Sequence, residues 1–208
     1  MKQIIVDTST SKSSLILVNN DSPLYEKYWE SENNHSKDLY EYFLILKEKL
    51  GNIEDIDQIT VLLGPGGFNS IRIGISFVLG IASSYNINIL GIPSHVVQVI
   101  DFIMGKKEII SVIPCGKNKW SWAKFSNGSF EPEKIGLISD FSDLDSEKFT
   151  GEILIEDKEI TRDYKKLILS SKVMKKNKGF TKPADVVPIY AKGPSISKPK
   201  VPYKKLNI

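Results

Sequence analysis

Apolar residues recur along the first hundred positions in short blocks whose spacing alternates between the two-residue period of strands and the wider period of helices. Ile4-Ile5-Val6 runs into Asp7, and Leu15-Ile16-Leu17-Val18 follows the hydroxyl-rich stretch Thr8 to Ser14, so the two blocks read as a hairpin. The turn residues Asn19-Asn20-Asp21-Ser22-Pro23 predict a third strand over 24–29. From Ser36 to Leu50, Leu39, Phe43, Leu46 and Leu50 form one helical stripe, with Gly51 at the stop. Ile59 to Leu63 predicts a strand, broken by Gly64-Pro65-Gly66-Gly67. A long helix over 69–85, a strand from Ile89 to Ile92 and a helix from Pro93 to about Met104 follow. Three strands in succession, then alternating helices and strands, predict an α/β chain with helices packed on a mixed sheet.

The second half is patterned more weakly. Strands are expected over 109–113, 119–125 and 152–155, and a short helix over 141–149. Beyond Phe180, Pro183, Pro188, Pro194, Pro199 and Pro202 exclude long helices and predict an extended, loosely held end. No internal repeat of solenoid period is present.

Composition narrows the class. The chain has 208 residues, enough for one domain or two small ones, and 41% hydrophobic with 25% charged residues is the balance of a globular protein. No run of about 18 apolar residues exists to span a bilayer. The start, Met1-Lys2-Gln3, does not read as a signal peptide, and the single Cys115 has no internal disulfide partner, so a cytoplasmic location is expected. Cys115 itself, within Ile113-Pro114-Cys115-Gly116, is expected to be a small half-buried residue. The net charge of +3 conceals an asymmetry: residues 172–208 hold ten lysines and one acid, a net +9 that leaves −6 for the first 171 residues. A basic end on an acidic body suggests a polyanionic neighbour.

Three features could carry chemistry. Asp7, followed by Thr8-Ser9-Thr10, stands at a strand end where a carboxylate can hold a metal-bound water and a hydroxyl-rich turn can face a phosphate; a side-chain-stabilised turn explains the same residues. Gly64, Pro65, Gly66 and Gly67 precede a helix N-terminus, where backbone amides attract anions, but the Gly-Lys-Ser/Thr ending of a P-loop is missing. Arg72 falls in the first turn of that helix, where a cation opposes the macrodipole, which suggests a ligand, a carboxylate partner or an interface. The helix is also apolar on two sides. Ile71, Ile75, Val78 and Ala82 form one stripe, Ile73, Phe77 and Ile81 another, and Ser76, Gly80 and Ser83 a strip of small residues. In the preceding helix Tyr40, Leu44 and Ile45 lie off the main stripe. The two helices can pack on one another, yet outer apolar surface would remain for a partner to cover.

These motifs together resemble the TsaB (YeaZ) family of the glycoprotease-like superfamily. The residues concerned are Ile5-Val6-Asp7-Thr8-Ser9-Thr10, His35-Ser36 before a helix, and Gly64-Pro65-Gly66-Gly67-Phe68-Asn69-Ser70-Ile71-Arg72-Ile73-Gly74. The last matches seven of the eleven positions of the family's GPGSFTGLRIG. Gly91-Ile92-Pro93-Ser94 and Pro188-Ile189-Tyr190-Ala191-Lys192 also resemble family segments. The resemblance implies an actin-like ATPase (ribonuclease H-like) fold of two related subdomains with mixed sheets: residues 1–104 with the partner-binding helices, a smaller degenerate subdomain over 105–192, and a basic extended tail over 193–208.

It further implies a non-catalytic scaffold or activator that binds TsaD, the subunit transferring a threonylcarbamoyl group to the tRNA adenosine beside the anticodon, together with the ATPase TsaE. The interface candidates are Tyr40, Leu44, Ile45, Arg72, Ile73, Ser76, Phe77, Gly80 and Ile81, and self-association into a homodimer through the same surface is left open. No catalytic residue, intrinsic cofactor or metal site is expected, and ATP or ADP is expected only at a complex interface. Where relatives carry an H-x-x-x-H metal pair, this chain has His95 and Val99. The alternative is an active actin-like ATPase or sugar-kinase-like enzyme using Asp7 and the glycine loop, but the second half lacks both an Asp-Gly and a Gly-Gly pair. A peptidase is not expected, since there is no HExxH and no motif around Cys115. Contact with tRNA is expected through the complex or through the lysine-rich tail.

Overall fold

The β-branched blocks at the start of the chain form the centre of a five-stranded sheet because their alternate residues are buried on both faces. In the computed structural model, which describes residues 1–30, 34–115, 119–137, 152–155 (backbone alone) and 162–191, β1 (Lys2–Asp7), β2 (Lys12–Asn19) and β3 (Ser22–Glu30) make an antiparallel meander. β4 (Gln58–Gly64) adds parallel to β1, with Ile4 opposite Ile59, and β5 (Asn88–Pro93) adds parallel to β4, giving the order β3-β2-β1-β4-β5. One face carries Ile4, Val6, Leu15, Leu17, Val61 and Leu63 and is covered by α1 (His35–Leu50) and α2 (Phe68–Tyr85). The opposite face carries Ile5, Ile16, Val18, Leu62, Leu90 and Ile92 and is covered by α3 (Ser94–Met104) and α4 (Tyr164–Lys178).

The second sheet repeats this plan on a smaller scale. β6 (Ile109–Pro114), β7 (Trp120–Phe125) and β8 (Lys134–Leu137) form an antiparallel meander, and β9 (Glu152–Ile155) pairs parallel to β6, giving β8-β7-β6-β9. The order matches β3-β2-β1-β4 of the first sheet. Two related mixed sheets with helices between them are the actin-like, ribonuclease H-like arrangement. α3 packs on β4 and β5 on one side and on β6 and β7 on the other, so Ile109, Ala123 and Phe125 share one core with Val96, Val97 and Ile100.

Two elements go beyond the sequence expectations. β8 is a four-residue edge strand containing Gly136, too short to show a period. α4 has no clean apolar stripe, because its buried face alternates Leu167, Ile168 and Met174 with Ser170 and Ser171. Its place is fixed by a buried polar cluster: Gln58 Nε2 donates to Gln3 Oε1 and Ser171 Oγ (both 2.9 Å), and Thr60 Oγ1 lies 3.0 Å from Ser171 Oγ. A helix late in the chain thereby belongs to the first sheet.

The expectation of a loosely held end is corrected for residues 180–191. The segment forms no long helix, only a 3-10 turn over Pro183–Asp185, but it is laid along the first sheet: Thr181 N–H donates to Ile89 O (2.8 Å), Gly91 N–H to Thr181 Oγ1 (2.8 Å) and Ile189 N–H to Leu63 O (2.7 Å). Four of the ten lysines counted at the basic end, Lys172, Lys175, Lys176 and Lys178, stand on α4. The helix expected over 141–149 and the tail over 193–208 lie outside the described residues.

Candidate functional site

Asp7 ends β1 with its side chain 2% exposed, where an unpaired carboxylate would be costly. Both oxygens are engaged. Oδ1 accepts from the Ser9 amide (2.9 Å) and the Ser9 hydroxyl (2.7 Å), and Oδ2 accepts from Arg162 Nη1 (2.8 Å), which also donates to Ser9 Oγ (2.6 Å). Arg162, 4% exposed, immediately precedes Asp163, the N-cap of α4. Sequence reasoning misses this pair. A signal is nonetheless present: all but two of the 28 basic residues are lysine, and the two arginines are Arg72 and Arg162.

The glycine loop closes on the same hairpin. Gly67 N–H donates to Ser9 O (2.9 Å), and a Cβ at Gly66 would fall 1.9 Å from that oxygen, so only glycine lets the loop approach. Gly64, at φ +93°, lies against Ile71 and the carbonyl of Ile189. Pro65 is buried, Thr8 Oγ1 donates to Ser70 O (2.7 Å), and Thr10 Oγ1 donates to Lys12 O (2.8 Å). Asp7, Ser9 and Gly67 are therefore bonded in one chain of contacts, while Thr8 ties the hairpin to α2 at Ser70 and Thr10 closes its own turn on Lys12. In this arrangement a metal-bound water on Asp7 must first displace Arg162, and the Gly67 amide must first leave Ser9, so the residues do not fit a metal–phosphate group without rearrangement.

His95 lies deeper, between the sheets. Its Nδ1 is 2.7 Å from Ser111 Oγ and its Nε2 3.0 Å from Ser121 Oγ. Ser111 in turn donates to Gln98, which assigns the ring proton to Nδ1 and leaves Nε2 accepting from Ser121. Burial, with the charge of Arg162 nearby, pulls His95 down to about 3. It is a neutral structural bridge, and neither ring nitrogen is left for a metal. Among the described residues no group of three His, Cys, Asp or Glu side chains could hold a metal ion, and no helix is long and apolar enough to cross a membrane. Cys115 is half-buried, and that burial raises its thiol pKa against the opposing charge of Lys119.

The second constellation is on the outside of α1 and α2. Phe43 and Phe77 meet edge to face at 5.1 Å, and Trp29 packs on Tyr42 at 5.0 Å, so α1 is anchored to α2 and β3. Part of the outer stripe of α2 is thus covered by its neighbour. Ile73, Phe77 and Ile81 stay half-exposed, Ser76 and Gly80 are exposed, and on α1 Tyr40 is 55%, Leu44 43% and Ile45 43% exposed.

Two grooves of about 530 and 450 Å³ run between the N-terminal ends of these helices, and Arg72 and Ile73 line both. Arg72 meets no carboxylate among the described residues. Its guanidinium lies over Phe68 at 5.4 Å, and Phe68 stacks on Tyr190 at 4.9 Å. Tyr190 belongs to the Pro188–Ala191 segment, which the sequence singles out without indicating that it returns to the start of α2.

Residues 30–131 match the family model described as TsaD: tRNA N6-adenosine threonylcarbamoyltransferase. YeaZ from Pseudomonas aeruginosa superposes with a TM-score of 0.69 at 15% identity, covering 91% of this chain and 99% of that one. A second solved structure, described as an uncharacterized protein with similarity to peptidase YEAZ from Pseudomonas aeruginosa, gives a TM-score of 0.70 at 15% identity and covers 92% and 99%. The chain has the YeaZ fold over nearly its whole length, and the resemblance carried by the motifs is borne out.

Proposed function

From the YeaZ fold and the TsaD family match over residues 30–131, we propose that this chain is an accessory subunit in tRNA modification: a non-catalytic activator that binds TsaD and, with TsaE, supports threonylcarbamoyl transfer to the adenosine beside the anticodon. The observation that carries this reading is the α1–α2 face. It presents Tyr40, Leu44 and Ile45 to solvent and holds Arg72, which meets no carboxylate among the described residues, in two grooves between the helices. Arg72 is the fifth residue of α2, in its second turn rather than the first, so the dipole cost expected from the sequence is small, and its exposed guanidinium is open to an acid presented by a partner. The engagement of Asp7 by Arg162 supports an accessory role over an actin-like ATPase or sugar-kinase-like enzyme. Nucleotide then belongs to a composite site in the assembled complex, and the subunit works in the cytoplasm with its tRNA. The same face is available for a homodimer when TsaD is absent.

Coexpression of the tagged chain with TsaD of the same organism tests the proposal. TsaD is expected to copurify, and Leu44→Glu combined with Ile45→Glu should lower its recovery about tenfold or more, as removing a central apolar anchor does. Both side chains are exposed, so the melting temperature of the isolated variant should stay unchanged. Failure of folded TsaD to copurify at low salt would overturn the reading, and ATP turnover by the isolated chain would favour the kinase-like alternative.

A further inference from the structure

α4 carries six lysines and no acid in fifteen residues. Lys175, Lys176 and Lys178 in its last turn complement the helix dipole, but Lys165 and Lys166 in the first turn oppose it; Lys166 is offset only by an exposed Asp101 carboxylate at 3.9 Å, and Lys165 lies over the Tyr164 ring at 5.9 Å. The apolar side chains Leu167, Ile168 and Met174 face the core, which turns Lys165, Lys172 and Lys176 outward in one line. At 1.5 Å per residue that line is about 16 Å long. Lys165 and Lys176 have no carboxylate partner among the described residues, nor has Lys182 just beyond the helix. Lys172 pairs with Asp21, but both groups are about half-exposed, a pairing that another anion can exchange. Residues 162–191 contain eight cations against Asp163 and Asp185.

We propose that the outward lysine face of α4 docks the phosphate backbone of RNA. The inference rests on the tRNA-modifying role proposed above and assigns the RNA contact to a folded helix. Lysines on flexible stems suit phosphates, which need charge without a fixed fork, and a line without arginine or amide side chains carries no means of reading bases. A membrane surface fits less well: a helix lying on lipid buries an apolar face there, whereas the apolar face of α4 is spent on the core and only half-buried Leu169 interrupts the lysine line.

The test is binding of an unmodified tRNA transcript to the full chain, alone and with TsaD, across a salt series. Lys165→Gln, Lys172→Gln and Lys176→Gln together should weaken binding and reduce the slope of log affinity against log salt by about 2–3, near one for each phosphate that is no longer neutralised. Retained TsaD copurification and an unchanged thermal melt in the triple variant separate this outcome from failure of the accessory role or of folding. An unchanged affinity and slope would overturn the proposal. So would a loss confined to deletion of 193–208, or polyglutamate competing as well as RNA.

Discussion

Arg162 and Asp7 meet across 155 positions of sequence in a site nearly closed to water, where the charges are tolerable only together. Arg162→Met should cost about 3–5 kcal/mol in urea unfolding, since it strands the Asp7 carboxylate. Combining it with Asp7→Asn should recover a large part of that loss; strictly additive costs would show that the pair is not coupled. His95 makes a second prediction at this scale. Its folded pKa of about 3 lies below the unfolded value of 6.5, so the unfolded chain binds the proton first as pH falls. Its contribution is present above pH 6.5 and fades between there and 3, removing about 2 kcal/mol from pH 7 to pH 5. His95→Gln should lack this component, and equal pH slopes in both proteins would refute the assignment.

At the scale of elements, periodicity made the first sheet and its helices legible. Leu39, Phe43, Leu46 and Leu50 mark the buried side of α1, and the alternating blocks of β1 and β2 mark two faces. α4 stayed hidden because it is held by hydroxyl and amide groups as much as by apolar ones. Ser170 and Ser171 break its stripe, and Ser171 finds Gln3, Gln58 and Thr60 only after the sheet has formed. Ser171→Ala should therefore destabilise the protein by about 1–3 kcal/mol, the cost of leaving buried polar groups short of a partner. A change within about 0.3 kcal/mol, read by the same urea titration, would mean the cluster does not hold the helix. The candidate site was legible in its first-domain half, in Asp7, the glycine loop and Arg72. Arg162 and Tyr190 were not placed there, since each arrives from a segment whose local pattern says nothing about its destination.

For the whole molecule, the chain by itself determined the element types of the first hundred residues, the mixed α/β class and the apolar excess on α1 and α2, because those follow from local period and turn chemistry. It also carried the arginine scarcity that sets Arg72 and Arg162 apart. Tertiary structure alone decided that the second sheet repeats the order of the first, that α3 joins both in one core, and that 180–191 returns to β4, β5 and α2. It also decided that Asp7 is filled by a guanidinium and that four of the ten lysines at the basic end stand on a helix. The physical reason is the same in each case: charge pairing, close glycine contacts and buried hydroxyl networks depend on which distant segments become neighbours, and no local period encodes that.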